Sequence, residues 1–121
     1  MDLTRYTRNL ERVSFAAGDV IVNRGDDGSS MYVIIEGQVD VGYDENHSVR
    51  LGEGESFGEM SIIDKRPRSA TVTAVTEVTL APINKGTFIV LVQDTPDFAL
   101  EVMRSLSDRL RRANQLPGAA G

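Results

Sequence analysis

Between Val13 and Ile83 short runs of β-branched and apolar residues recur, each closed by a turn rich in glycine, aspartate or asparagine. That rhythm limits the fold more than any other feature of the chain. The runs are Val13–Phe15, Val20–Val22, Ser30–Glu36, Gln38–Tyr43, Val49–Leu51, Ser69–Ala74 and Glu77–Ile83. The turns are 16–19, 23–28, 36–37, 44–47 and 52–55, and Gly25, Gly28 and Gly37 are read as turn residues rather than as an ordered dinucleotide fingerprint. Many short strands at regular spacing predict a sandwich, barrel or jelly roll. After Ile83 the period changes. Asn84 is placed to cap a helix over Lys85–Val92, and Thr95-Pro96-Asp97 supplies a cap, a first-turn proline and an acid for a second helix. Along that helix Phe98, Val102, Met103, Leu106 and Leu110 share one face. A short helix is expected within Asp2–Arg12, with Leu3, Tyr6 and Leu10 on one side.

One stretch interrupts the strands and carries chemistry: Phe57-Gly58-Glu59-Met60-Ser61-Ile62-Ile63-Asp64-Lys65-Arg66-Pro67-Arg68-Ser69-Ala70-Thr71-Val72. A helix over 59–64 would leave its first backbone N–H groups unpaired, and with the positive end of its dipole these attract an anion. Gly58 lets a ligand approach the backbone closely. Arg68 brings a planar, permanently charged fork suited to phosphate oxygens. Glu59 repels phosphate, so its fitting task is to accept hydrogen bonds from a neutral hydroxyl on the same ligand. A carboxylate for a hydroxyl, with an arginine and amides for one phosphate, describes a nucleotide with a ribose. The plain rivals are a helix cap for Glu59 and a solvated surface arginine for Arg68.

The segments Phe-Gly-Glu-Met-Ser at 57–61 and Pro-Arg-Ser-Ala-Thr-Val at 67–72 resemble the phosphate-binding cassette of the cyclic nucleotide-binding domain family. That family spans catabolite activator proteins, protein kinase A regulatory subunits and cyclic nucleotide-gated channels. The nine-residue step from Glu59 to Arg68 is similar to that of the kinase and channel branches. The wider resemblance runs from about Val13 to Asn114. It implies a mainly β fold: an antiparallel β-roll (jelly roll) with flanking helices, a short cassette helix and C-terminal helices. It implies one domain over 1–121, divided into an N-terminal segment 1–12, a roll 13–83, C-terminal helices 84–115 and a flexible tail 116–121. It further implies that cyclic AMP or cyclic GMP binds as a regulatory ligand, with no other cofactor. The implied site comprises Gly58, Glu59, Met60, Ser61, Arg68, Ser69 and Ala70. Met60, Ser61 and Ala70 would serve through backbone N–H groups, Ser69 by touching the phosphate, and Phe57 as core. Val49, Leu51 and Asn114 are the implied contacts to the base. Since the residue after Arg68 is serine rather than threonine, the resemblance favours cyclic AMP over cyclic GMP. Ligand would move the helix that begins at Phe98.

Composition sets bounds on the rest. A length of 121 residues is that of one domain, and 40% apolar residues fit a globular chain. A net charge of −5 argues against nucleic-acid binding by this chain alone. With no cysteine and one histidine, His47, placed in a polar hairpin, neither a thiolate site nor a multi-histidine metal centre is expected. No serine has a His–Asp partner set, so no hydrolytic triad, and no catalytic residue, is expected. The first twelve residues carry no apolar targeting run, and Phe88–Val92 is too short to span a bilayer, so a cytoplasmic location is expected and no membrane contact by this chain alone. The cluster Arg104, Arg109, Arg111, Arg112 reads as a solvated helix face. The winged DNA-binding domain, kinase-inhibitor segment and channel helices of the resembled branches are not in these residues. A stand-alone sensor, the sensing part of a transcription regulator or channel, and an interaction domain with a homodimer or effector partner on the C-terminal helices all stay open.

Overall fold

The computed structural model of the chain describes residues 2–114, with side chains described through Arg112. Eight strands are followed by two long helices. The strands are β1 (Val13–Phe15), β2 (Val20–Val22), β3 (Ser30–Glu36), β4 (Val39–Asp44), β5 (His47–Leu51), β6 (Ser56–Phe57), β7 (Thr71–Ala74) and β8 (Val78–Asn84). A single turn of helix, α1 (Met60–Ile63), lies between β6 and β7, and α2 (Lys85–Asp94) and α3 (Asp97–Asn114) close the chain. The strands form two four-stranded antiparallel sheets, in the orders β1-β8-β3-β6 and β2-β7-β4-β5. This is the expected β-roll.

Alternation along β3 and β8 builds two cores from one sheet, because successive side chains point to opposite faces. Tyr32, Ile34, Val78 and Leu80 face the second sheet, where Val39, Val41, Leu51, Val72 and Ala74 meet them. Met31, Val33, Ala81 and Ile83 face the other way, against Leu3, Ile62, Phe98 and Val102. The helices therefore pack on the outside of the first sheet. Asn84 caps α2 as anticipated, its Oδ1 accepting from the Thr87 amide at 2.8 Å.

Several expectations need correction. The N-terminal segment is not a helix over Asp2–Arg12 but one short 3-10 turn, Thr4–Tyr6. Asp2 takes both the amide and the hydroxyl of Thr4, at 2.9 and 2.6 Å, which favours a tight turn over a regular helix. The segment is nonetheless anchored: Leu3 is fully buried and its amide donates to the Gly54 carbonyl at 2.9 Å. Strand β6 is not among the expected runs because two residues carry no period; its Tyr32–Phe57 pairing on β3 defines it. His47 belongs to β5, so the hairpin tip is narrower than 44–47. Ser69 and Ala70 lie in the loop before β7. On α3, Phe98 and Val102 are buried, whereas Met103 and Leu110 are 57% and 63% exposed. The apolar face that packs is thus narrower than the spacing implied. The expected helix end near Gln115 and the tail 116–121 lie outside the described residues. No helix among the described residues is long and apolar enough to cross a membrane.

Candidate functional site

A cavity of about 320 Å³ opens between the loop 57–70, the β4 side of the roll and the inner face of α3. Gly58, Glu59, Met60, Arg68, Ser69 and Ala70 all line it, together with Phe57, Val41 and Tyr43. The two charged residues singled out by their spacing thus face one cleft. The backbone explains how. Gly58 has φ +83°, a left-handed conformation that favours glycine, and turns the chain from β6 into α1. Lys65, at φ +55°, then reverses the chain after α1 so that Pro67 and Arg68 return to the cleft. Main-chain bonds hold Arg68 at both ends: its amide donates to the Asp26 carbonyl and its carbonyl accepts from the Gly25 amide, each at 2.8 Å.

The Arg68 side chain lies along a shallow trough. Its Nη1 is 3.5 Å from the Gly58 carbonyl, and its Cζ sits 6.0 Å from the centre of the Tyr32 ring. Tyr32 is in turn stacked on Phe57, with ring centroids 5.2 Å apart. Glu59 is only 3% exposed. Its Oε2 accepts from the Ser56 hydroxyl, and Arg109 of α3 faces both its oxygens at 3.5 Å. Arg109 also donates through Nη2 to the Ser56 carbonyl at 2.6 Å. A buried carboxylate needs a partner of this kind, because an unpaired charge out of water is costly.

Arg109 is the residue that sequence reasoning misplaced. It is no part of a solvated face: its side chain is 15% exposed, while those of Arg111 and Arg112 are 70% and 53% exposed. The signal was its register. Phe98, Val102, Leu106 and Arg109 follow one another at steps of four, four and three, so Arg109 continues the buried face of α3. Leu106 joins it in lining the cleft. Arg112, one turn further on, lies 3.6 Å from Glu55.

Other expected site residues fall elsewhere. Ser61 is buried behind the cleft, and its amide is already engaged with the Gly58 carbonyl at 3.2 Å, so that donor is not free for a ligand. The anticipated helix over 59–64 is a single turn, Met60–Ile63, with little dipole to offer. Leu51 is 1% exposed in the core between the sheets and is not among the residues that line the cleft, so the structure does not place it where a base contact was expected. Val49 lines a neighbouring cavity of about 610 Å³, which shares Tyr43 and Arg109 with the cleft. The Asn114 side chain lies outside the described residues. His47 is exposed and bonded to Asp44 at 2.8 Å; the Asn46 amide and then this imidazole hold the Asp44 carboxyl below its usual range. Among the described residues no group of three or more His, Cys, Asp or Glu assembles as a metal site.

Comparison with known proteins places this geometry. The description of the cyclic nucleotide-binding domain matches residues 12–95, which include every residue of the loop 57–70. The chain is 33% identical over 117 residues to the CRP-like cAMP-activated global transcriptional regulator of Mycobacterium tuberculosis, covering 93% of this chain and 52% of the regulator. It is 41% identical over 107 residues to a cyclic nucleotide-gated potassium channel of Rhizobium etli, covering 88% of this chain and 30% of the channel. Its fold superposes on the crystal structure of the Thermus thermophilus catabolite activator protein with a TM-score of 0.76 and 29% identity, covering 93% of this chain and 54% of that one. The chain therefore spans about half, or less, of the length of these relatives. With a match that runs through both sheets and the whole of the cleft loop, the chain belongs to the cyclic nucleotide-binding domain family.

Proposed function

We propose that this domain is a sensor whose cleft binds cyclic AMP in preference to cyclic GMP and whose α3 helix moves in response. The single observation that carries the reading is the convergence of Glu59 and Arg68, from the loop between β6 and β7, and of Arg109, from α3, on one cleft. In this reading Arg68 and the amides of Gly58, Met60 and Ala70 take the cyclic phosphate, with the exposed Ser69 hydroxyl beside it. Glu59 accepts from the ribose 2′-hydroxyl. The base extends past Tyr43 and Arg109 toward Val49. The preference for cyclic AMP rests on Ser69 standing where threonine would offer guanine a hydroxyl, and on the cAMP-activated relative. No chemistry is done on the ligand.

Arg109 gives the proposed movement a physical basis. It is the described α3 side chain that reaches the cleft carboxylate, so a ribose hydroxyl arriving at Glu59 changes what Arg109 is bonded to. A ligand shifts a conformational equilibrium only by its differential affinity for the two positions, and this pairing supplies such a difference. The exposed Leu100 and Met103 leave α3 an outer apolar surface for a homodimer or effector partner, while the exposed Leu110 borders the cleft.

Two measurements test the proposal. Calorimetric titration should show saturable binding of both cyclic nucleotides, tighter for cyclic AMP. Absence of heat with either nucleotide would remove the sensor reading, and tighter binding of cyclic GMP would reverse the preference. The chain has no cysteine, so Asn46→Cys and Arg111→Cys provide a clean pair of exposed positions for spin labels. The interlabel distance distribution should shift on saturation with cyclic AMP; identical distributions would leave α3 without a switching role.

A further inference from the structure

Gly28 does more than turn the chain. Its φ lies outside the left-handed region, unlike those of Gly25, Gly37 and Gly58, so its backbone shape is open to any residue. Space is what it supplies. A Cβ at position 28 would stand 2.2 Å from Nε, 2.3 Å from Cζ and 2.5 Å from Nη2 of Arg68, and nothing else lies nearer. On the opposite side a Cβ at Gly58 would stand 2.6 Å from Arg68 Nη1. The guanidinium thus fills the space of two missing side chains, at Gly28 and Gly58, with the Tyr32 ring nearby. The same turn, 25–28, also holds the Arg68 main chain through Gly25 and Asp26.

We infer that Gly28 is a positioning residue for ligand affinity: the turn 25–28 is the seat that aims the Arg68 fork into the cleft, and the bare Cα of Gly28 sets where that fork can lie. The inference rests on the reading of the cleft as a cyclic nucleotide site. The physical reason is geometric. A bidentate guanidinium interaction depends on the placing of a rigid plane, so a displacement of about an ångström or more breaks the pairing while leaving the charge intact. The displaced group is the far end of a flexible side chain beside open space, so the fold itself tolerates the added methyl. Gly28→Ala also lowers the conformational freedom of the unfolded chain, which offsets part of any strain.

The test is Gly28→Ala in the wild-type and Arg68→Ala backgrounds, read by calorimetric titration with cyclic AMP and by thermal unfolding. In the wild-type background the expected result is a loss of affinity of tenfold or more with an unfolding midpoint close to wild type. In the Arg68→Ala background the same methyl should change affinity less than twofold, because its target is gone. Unchanged affinity in the single variant, or equal losses in both backgrounds, would overturn the inference. If Gly28→Ala alone does not fold, the double variant should recover folding, since the three atoms nearest the added methyl, all in the Arg68 side chain, have been removed; failure of both to fold would also overturn it. Wild-type protein that binds no cyclic AMP sinks the sensor reading instead, so the two failures are distinguishable.

Discussion

Arg68→Ala is expected to weaken cyclic AMP binding ten- to a hundred-fold while leaving the fold intact. The magnitude follows from the kind of interaction removed: a hydrogen bond to a charged group contributes roughly 1.5–3 kcal/mol, and every 1.4 kcal/mol is about a factor of ten in affinity. The fold should hold because, among the described residues, the Arg68 side chain makes one long hydrogen bond, 3.5 Å to the Gly58 carbonyl, and its backbone bonds to Asp26 and Gly25 survive truncation. A change in stability of about 0.5 kcal/mol or less is therefore expected. Arg68→Lys should recover part of the affinity, since it keeps the charge and gives up the fork. Titration calorimetry beside chemical denaturation separates the two effects. An Arg68→Ala protein that binds within twofold of wild type would mean that the phosphate is not held here.

Phe98→Ala should have the largest effect on stability, about 3–5 kcal/mol. Phe98 is fully buried where α3 begins, and it touches two other rings edge to face, Tyr6 and Phe88, each with centroids 5.3 Å away. Truncation removes a large apolar surface and both ring pairings, and leaves a cavity among Leu3, Met31 and Ile83 that the rigid first sheet cannot close. Against a total stability of about 5–15 kcal/mol for an ordinary domain, this is a large fraction. The urea unfolding midpoint should fall accordingly, and the exposed Leu110→Ala serves as a control expected to stay within about 0.5 kcal/mol. A destabilisation below about 1 kcal/mol for Phe98→Ala would show that α3 is not anchored at this point. The effect also bears on the cleft, because the same helix carries Arg109 to Glu59.

The roll was legible because its cause is local. The β-branched run Ser30–Glu36 and the alternation in Gln38–Tyr43, parted by a glycine turn, set strands whatever lies around them. The Asn84 cap was legible for the same reason, since its partner is three residues away. A helix over Asp2–Arg12 does not form because three apolar residues carry little period, while Asp2 and Thr4 offer each other a tighter turn. Leu51 faces the core rather than the cleft because strand alternation says which residues share a face, and leaves open whether that face meets a cleft or a second sheet.

The chain's own order of residues determined that there would be short strands, two closing helices, and a glycine, a carboxylate and an arginine brought within one loop of sixteen residues, 57–72. Only the tertiary structure decided that Arg109, fifty positions beyond Glu59, would be its partner, and that Gly28, forty positions before Arg68, would hold the space its guanidinium lies in. The reason is range. Period, capping and turn chemistry act over a few residues and can be read along a string. A pairing of buried charges or a matching of one side chain to another's absence depends on which surfaces the closed roll brings face to face.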